Sequence, residues 1–115
     1  MGVLRSKSFD FALRIVKLTK FIQEKHRAYE LANQILRSGT AIGALIREAE
    51  YAESKKDFVH KLSIALKEAN ETGYWLELLS AAEFIEQKMF HSLVSDCKEL
   101  LRMLISSIKT SKLQS

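Results

Sequence analysis

The chain has 115 residues, of which 47% are apolar and 28% charged, and its formal net charge is +4. This length fits one domain spanning residues 1–115, the composition is that of a globular protein, and no apolar run approaches the ~18 residues that a membrane span needs. There is no proline and only four glycines, so the loops must be few and short, which favours an all-helical fold.

Helix 1 is predicted over residues 8–26, with Ser6 or Ser8 as its N-cap. Residues 1–6 are expected to fray. Phe9 and Val16 are expected to widen the apolar face of the helix. The core seam itself follows the spacing of a helical bundle and consists of Phe11, Ile15, Leu18 and Ile22.

Helix 2 is predicted over residues 28–52 and carries Gly39 and Gly43 beside its core seam. Glycine costs roughly 1 kcal/mol in a helix interior relative to alanine, so two glycines on adjacent turns indicate a flat patch for close helix packing. The neighbour is either another helix of the same chain or the next subunit. In both cases Gly43→Leu is expected to disrupt folding or assembly by overpacking.

Helix 3 is predicted over residues 55–80, with Ser54 and Asp57 forming a capping box. Ile64, Trp75 and Leu78 fall away from its seam, which favours an apolar surface between subunits. Helix 4 is predicted over residues 86–110, and residues 111–115 are expected to fray. Short connections between four such helices predict an antiparallel up-down-up-down four-helix bundle.

The residues that carry enzymatic or metal chemistry are sparse and scattered. Cys97 is the single cysteine and falls on the seam of helix 4, which favours a small buried hydrophobe. Glu68 and Glu71 could form an acid–base pair, but an acidic face paired with Lys or Arg of a neighbouring helix is favoured. We therefore predict no catalytic residue, no metal site, no cofactor and no enzymatic activity. The absence of an apolar leader and of a disulfide pair predicts a cytoplasmic protein without a membrane partner.

Charge is distributed unevenly along the chain. Residues 1–27 hold seven basic and two acidic residues, and residues 87–115 hold five and two, whereas residues 48–86 hold four lysines and nine acids. Three interpretations are open: solvated helix faces, a basic surface for RNA or DNA, and opposite charges that pair between subunits. The candidate nucleic-acid contacts are Lys7, Arg14, Lys17, Lys20, Lys25, Lys98, Arg102 and Lys109.

The stretch 35–79 contains several specific motifs. They are the runs Arg37-Ser38-Gly39-Thr40, Asp57-Phe58-Val59 and Tyr74-Trp75-Leu76, each with its flanking residues. In these the chain resembles the four-helix-bundle proteins encoded in intervening sequences of bacterial 23S ribosomal RNA genes. The resemblance implies a cytoplasmic bundle that assembles into a ring, a homopentamer, without catalytic residues.

The same fold is similar to that of accessory proteins of diversity-generating retroelements, which are basic pentamers implicated in binding nucleic acid and a reverse transcriptase. The implied partners are thus further copies of the chain, structured RNA or DNA, and a reverse transcriptase or other protein. Two functional hypotheses follow. One is a homo-oligomer that binds nucleic acid through helices 1 and 4. The alternative is a protein-interaction ring without nucleic acid, in which the basic face of one subunit meets the acidic third helix of the next.

Overall fold

The structure is a computed structural model that describes residues 2–114. It consists of α1 (Gly2–His26), α2 (Tyr29–Glu50), α3 (Lys55–Ala81) and α4 (Gln87–Leu113), and no strand occurs between residues 2 and 114. Consecutive helices pack against each other, and α1 also packs against α4, which closes the bundle. The predicted all-α four-helix bundle is therefore confirmed.

The core lies along the predicted seams of the four helices. Phe11, Ile15, Leu18 and Ile22 of α1 are buried, as are Leu93, Cys97, Leu100 and Leu104 of α4. Residues spaced three and four apart face the same side of a helix, so a repeating apolar pattern gives each helix one buried stripe. One pattern-based assignment is wrong, because Phe9 and Val16 do not widen this stripe in α1. They lie on its solvent side with 54% and 46% of their surface exposed.

The first and last helices are longer than predicted. Helix α1 begins at Gly2, so Ser8 is not its N-cap. Ser8 is buried inside the helix, and its hydroxyl donates to the Arg5 carbonyl at 3.0 Å. The seam continues upstream to Leu4, four residues before Ser8, and burial of Leu4 holds the first turn in place. At the other end α4 extends to Leu113, and Ser111 is buried. The helices thus extend into residues 2–6 and 111–113, beyond their predicted bounds. The fraying expected for residues 1–6 and 111–115 stays a prediction, and Met1 and Ser115 lie outside the described residues.

Short connections close the bundle without glycine or proline. Arg27 and Glu83 adopt the left-handed backbone conformation, with φ of 53° and 63°, at the ends of α1 and α3. After α3 the amide of Phe84 donates to the Leu79 carbonyl and that of Glu83 to the Ser80 carbonyl, which is the Schellman arrangement. The ring of Phe84 then stacks on His26 with centroids 4.6 Å apart. This contact fastens the α3–α4 connection to the end of α1.

The glycine pair of α2 faces α1 of the same chain. A Cβ atom added to Gly39 would lie 2.8 Å from Cγ1 of Ile15, and one added to Gly43 would lie 3.4 Å from Oγ of Ser8. The close neighbour that the sequence left undetermined is therefore α1. Gly39 and Gly43, proposed from sequence as packing or oligomer-interface residues, serve packing within the bundle.

A polar layer crosses the middle of the core. The hydroxyls of Ser38 in α2 and Thr72 in α3 are hydrogen-bonded at 2.9 Å, and both residues have no exposed surface. Thr72 also bonds to the Glu68 carbonyl at 2.8 Å, whereas Ser38 has only the Ile35 carbonyl at 3.5 Å besides Thr72. The layer satisfies its own polar groups, and it depends more on Thr72 than on Ser38.

We expect Thr72→Val to lower the free energy of unfolding by about 1–3 kcal/mol, because it leaves the Ser38 hydroxyl buried without a good partner. Ser38→Ala is the matched control and should cost less, since Thr72 keeps its bond to Glu68. Urea unfolding of both single variants and of the double variant measures the coupling. Equal costs for the two single variants would contradict this asymmetry.

Candidate functional surfaces

The bundle places the two basic ends of the chain side by side. Helix α1 carries six basic and two acidic residues, and α4 carries five and two. Helix α2 carries two basic and three acidic residues, and α3 carries four of each. Because α1 packs against α4, the positive charge of the molecule is concentrated on one side of the bundle.

Two of the predicted nucleic-acid contacts are instead paired within the chain. Lys7 Nζ lies 3.0 Å from a carboxylate oxygen of Glu99, and Arg14 Nη1 lies 2.7 Å from one of Asp96. Arg14 also donates to the Ser92 hydroxyl at 3.0 Å. These pairs are partly exposed, so each adds little to stability. They join α1 to α4 and lower the charge that Lys7 and Arg14 offer to a phosphate.

The remaining candidate cations point into solvent. Among residues 2–114 no carboxylate lies within 4.0 Å of their charged groups, and their side chains are exposed; they are Lys17, Lys20, Lys25, Lys98, Arg102 and Lys109. Lys25 stands over the Phe21 ring, 5.4 Å from its centroid. On α4, spacings of four and seven residues put Lys98, Arg102 and Lys109 on one outward stripe. The structure thus brings together a smaller basic surface than the sequence predicted.

The third helix is not acidic as a whole, contrary to the sequence-based expectation. Its acids are balanced by lysines, and the acidic excess of residues 48–86 comes from residues outside it, namely Glu48, Glu50, Glu53, Glu83 and Glu86. The Glu68 and Glu71 carboxylates both bind Arg37 of α2. The preferred interpretation of this pair, an acidic face joined to a basic residue of a neighbouring helix, is confirmed.

The Arg37 cluster also includes the indole of Trp75. Trp75 Nε1 donates to a carboxylate oxygen of Glu71 at 2.9 Å. This hydrogen bond and the Arg37 guanidinium lower the pKa of Glu71, and the hydrogen bond that Arg37 donates to Glu71 raises the pKa of Arg37. Glu71 and Arg37 are therefore both held in their charged forms.

The apolar residues predicted beside the seam of α3 share one face. Ile64, Trp75 and Leu78 are half-buried, and their spacing puts them on the side of α3 that borders Arg37. The exposed Tyr74 ring meets the Trp75 ring edge-on, with centroids 5.0 Å apart. We call Ile64, Tyr74, Trp75 and Leu78 the Trp75 face.

Sequence reasoning missed an apolar stripe on α1. Phe9, Leu13 and Val16 recur at spacings of four and three and are 54%, 46% and 46% exposed. The Arg47 guanidinium of α2 lies 5.7 Å from the Phe9 ring centroid. The spacing of these residues was a signal that could have revealed a second apolar face. We call these three residues the α1 stripe.

The groups most suited to covalent or metal chemistry are isolated from one another. Burial, followed by the charge of Asp96, raises the pKa of the Cys97 thiol to about 11, and its Sγ lies 3.2 Å from the Ala69 carbonyl oxygen. Across residues 2–114 no three His, Cys, Asp or Glu side chains gather where they could hold a metal ion. The expected lack of enzymatic activity and of cofactors stays a prediction.

None of the helices in residues 2–114 combines the length and apolar character required to cross a membrane.

Comparison with known proteins adds to these observations. A family model described as 23S rRNA-intervening sequence protein matches residues 3–106. A crystal structure of a protein of unknown function from the S23 ribosomal protein family of Bacteroides thetaiotaomicron VPI-5482 is 53% identical and has a TM-score of 0.91. The alignment covers 92% of this chain and 98% of that one. The likeness to this crystal structure therefore extends over nearly the whole four-helix bundle. No curated protein matches the chain.

Proposed function

The chain belongs to the 23S rRNA-intervening sequence protein family, and we propose that it is a non-enzymatic, cytoplasmic homo-oligomer that binds the phosphate backbone of RNA or DNA. The binding surface is the outward side of α1 and α4. The subunits form a ring, and the resemblance described above implies five of them.

The observation that carries this proposal is the adjacency of the two basic helices. Lysine and arginine side chains on neighbouring elements release counterions when they neutralise phosphates, and this release supplies most sequence-independent affinity. The α4 residues Lys98, Arg102 and Lys109 are exposed on one stripe without an acidic partner among residues 2–114. Such contacts position a nucleic acid without reading its bases, so we expect weak sequence preference.

A ring that binds only proteins is the second candidate function. The observation that favours it is the exposed α1 stripe, because apolar side chains aligned on one surface mark association sites. It differs from the first candidate in one respect, since it requires no affinity for phosphate. Partners other than the chain itself, including a reverse transcriptase, are compatible with either candidate.

We expect the triple variant Lys98→Ala, Arg102→Ala, Lys109→Ala to bind a fluorescent RNA hairpin or DNA duplex more weakly than the unaltered protein. Each lost duplex contact should reduce the slope of log affinity against log salt by about 0.9. Fluorescence anisotropy titrations between 50 and 200 mM salt, about the range over which such slopes are resolved, measure both quantities.

The matched control removes the same charge from α3 through Lys55→Ala, Lys56→Ala and Lys67→Ala, which are also exposed and outside ion pairs among residues 2–114. It should keep affinity and slope close to those of the unaltered protein. Equal weakening by the two triple variants would show a general charge effect. No binding by the unaltered protein at low salt would leave the protein-only ring as the better account.

A further inference from the structure

Both acidic residues of α4 are paired with cations of α1. The acids of this helix are Asp96 and Glu99, and they lie 2.7 Å from Arg14 and 3.0 Å from Lys7. Arg14 also donates to the Ser92 hydroxyl of α4 at 3.0 Å. The two ion pairs therefore bridge α1 and α4 on the side of the bundle where the basic residues are concentrated.

These pairs are accessible to a competing anion. The four side chains of the pairs are between 38% and 45% exposed, and ion pairs with this exposure contribute little to stability. A phosphate that binds either cation has to displace its carboxylate, and the displaced carboxylate then repels the phosphate at short range. Each acid thus opposes phosphate binding in two ways, as a competitor for the cation and as a like charge.

We propose that the Lys7–Glu99 and Arg14–Asp96 pairs are autoinhibitory contacts that withhold two cations of α1 from nucleic acid. The inference rests on the proposed binding of a phosphate backbone and adds a limit to the affinity of that surface. The exposed cations of α4 supply the affinity of the unaltered protein, and breaking the two pairs adds two phosphate contacts on α1.

The acids of α1 itself make no such pair. Asp10 is three residues from Lys7 and four from Arg14, so it shares their side of the helix, and Glu24 lies further along α1. Neither carboxylate lies within 4.0 Å of a basic group of residues 2–114. Asp10 and Glu24 add negative charge near the basic residues without occupying one, which makes them matched controls for the two acids of α4.

The test compares two double variants that remove the same charge. Asp96→Asn with Glu99→Gln releases both α1 cations, whereas Asp10→Asn with Glu24→Gln releases none. We expect the first variant to bind a fluorescent DNA duplex more tightly than the unaltered protein. Its slope of log affinity against log salt should steepen by up to about 1.8, which is about 0.9 for each new contact. The control variant should keep the slope of the unaltered protein in the same anisotropy titrations.

A second step separates the released cations from a change beside Arg102, which follows Glu99 by three residues and shares its side of α4. Adding Lys7→Ala and Arg14→Ala to the Asp96→Asn, Glu99→Gln variant should abolish the gain in slope. The melting temperature of each variant should stay close to that of the unaltered protein, because the lost ion pairs are partly exposed.

The outcomes distinguish the autoinhibition from nucleic-acid binding itself. Equal slopes for the two double variants, or a gain that persists without Lys7 and Arg14, would overturn the autoinhibition and leave phosphate binding by α4 intact. If neither the unaltered protein nor any variant binds the duplex at low salt, both proposals are wrong.

Discussion

Replacing Leu4 with alanine should lower the free energy of unfolding by about 2–5 kcal/mol, the range for leucine-to-alanine changes in protein cores. Leu4 lies in the first turn of α1 and is only 3% exposed. Alanine is the best helix former, so the cost measures lost packing and not lost helix. Urea unfolding followed by circular dichroism gives the value.

Val3→Ala provides the control at the neighbouring position. Val3 is 60% exposed, and substitutions at exposed sites away from special features usually change stability by no more than about 0.5 kcal/mol. A Leu4→Ala variant as stable as Val3→Ala would mean that the first turn frays, as the sequence-based prediction had it. A large difference would establish that residues 2–6 belong to the folded bundle.

The contrast at the start of α1 shows what helical periodicity can and cannot predict. The pattern correctly placed the four helices and their buried seams, because burial repeats with the helical turn in every sequence of this class. It failed at Ser8, a polar residue that occupies a seam position of α1. Ser8 was interpreted as a cap since serine commonly begins helices, yet here its hydroxyl bonds to the Arg5 carbonyl inside the helix.

Surface properties were less predictable because they depend on which helices become neighbours. The basic residues of the two chain ends were visible in the sequence, but the pairing of Lys7 with Glu99 and of Arg14 with Asp96 follows from the contact of α1 with α4. Phe9 and Val16 were likewise assigned to the core side of α1 because they are apolar. They are exposed because α1 turns Ile15 and Leu18 toward the other helices, which leaves Phe9 and Val16 on its outer side.

The two glycines of α2 should respond with opposite signs to the same substitution. Gly39→Ala places a Cβ atom 2.8 Å from Ile15 Cγ1 and 2.9 Å from Cγ2. Ile15 is β-branched and fully buried, so its side chain has little freedom to move. Overpacking of this kind costs about 1–3 kcal/mol, which outweighs the gain of roughly 1 kcal/mol in helix propensity. Gly39→Leu should lie at or above the upper end of that range.

At Gly43 the added Cβ atom would lie 3.4 Å from Ser8 Oγ, an ordinary contact, so Gly43→Ala should raise the free energy of unfolding by up to about 1 kcal/mol through helix propensity. Gly43→Leu reaches further toward the backbone of Ser8 and should still destabilise the bundle, though less than Gly39→Leu. Thermal and urea unfolding of the four variants give the ranking. A Gly39→Ala variant more stable than the unaltered protein would show that α1 can shift away from α2 to make room for the added Cβ atom. In that case the close approach of the two helices would not be the reason for glycine at position 39.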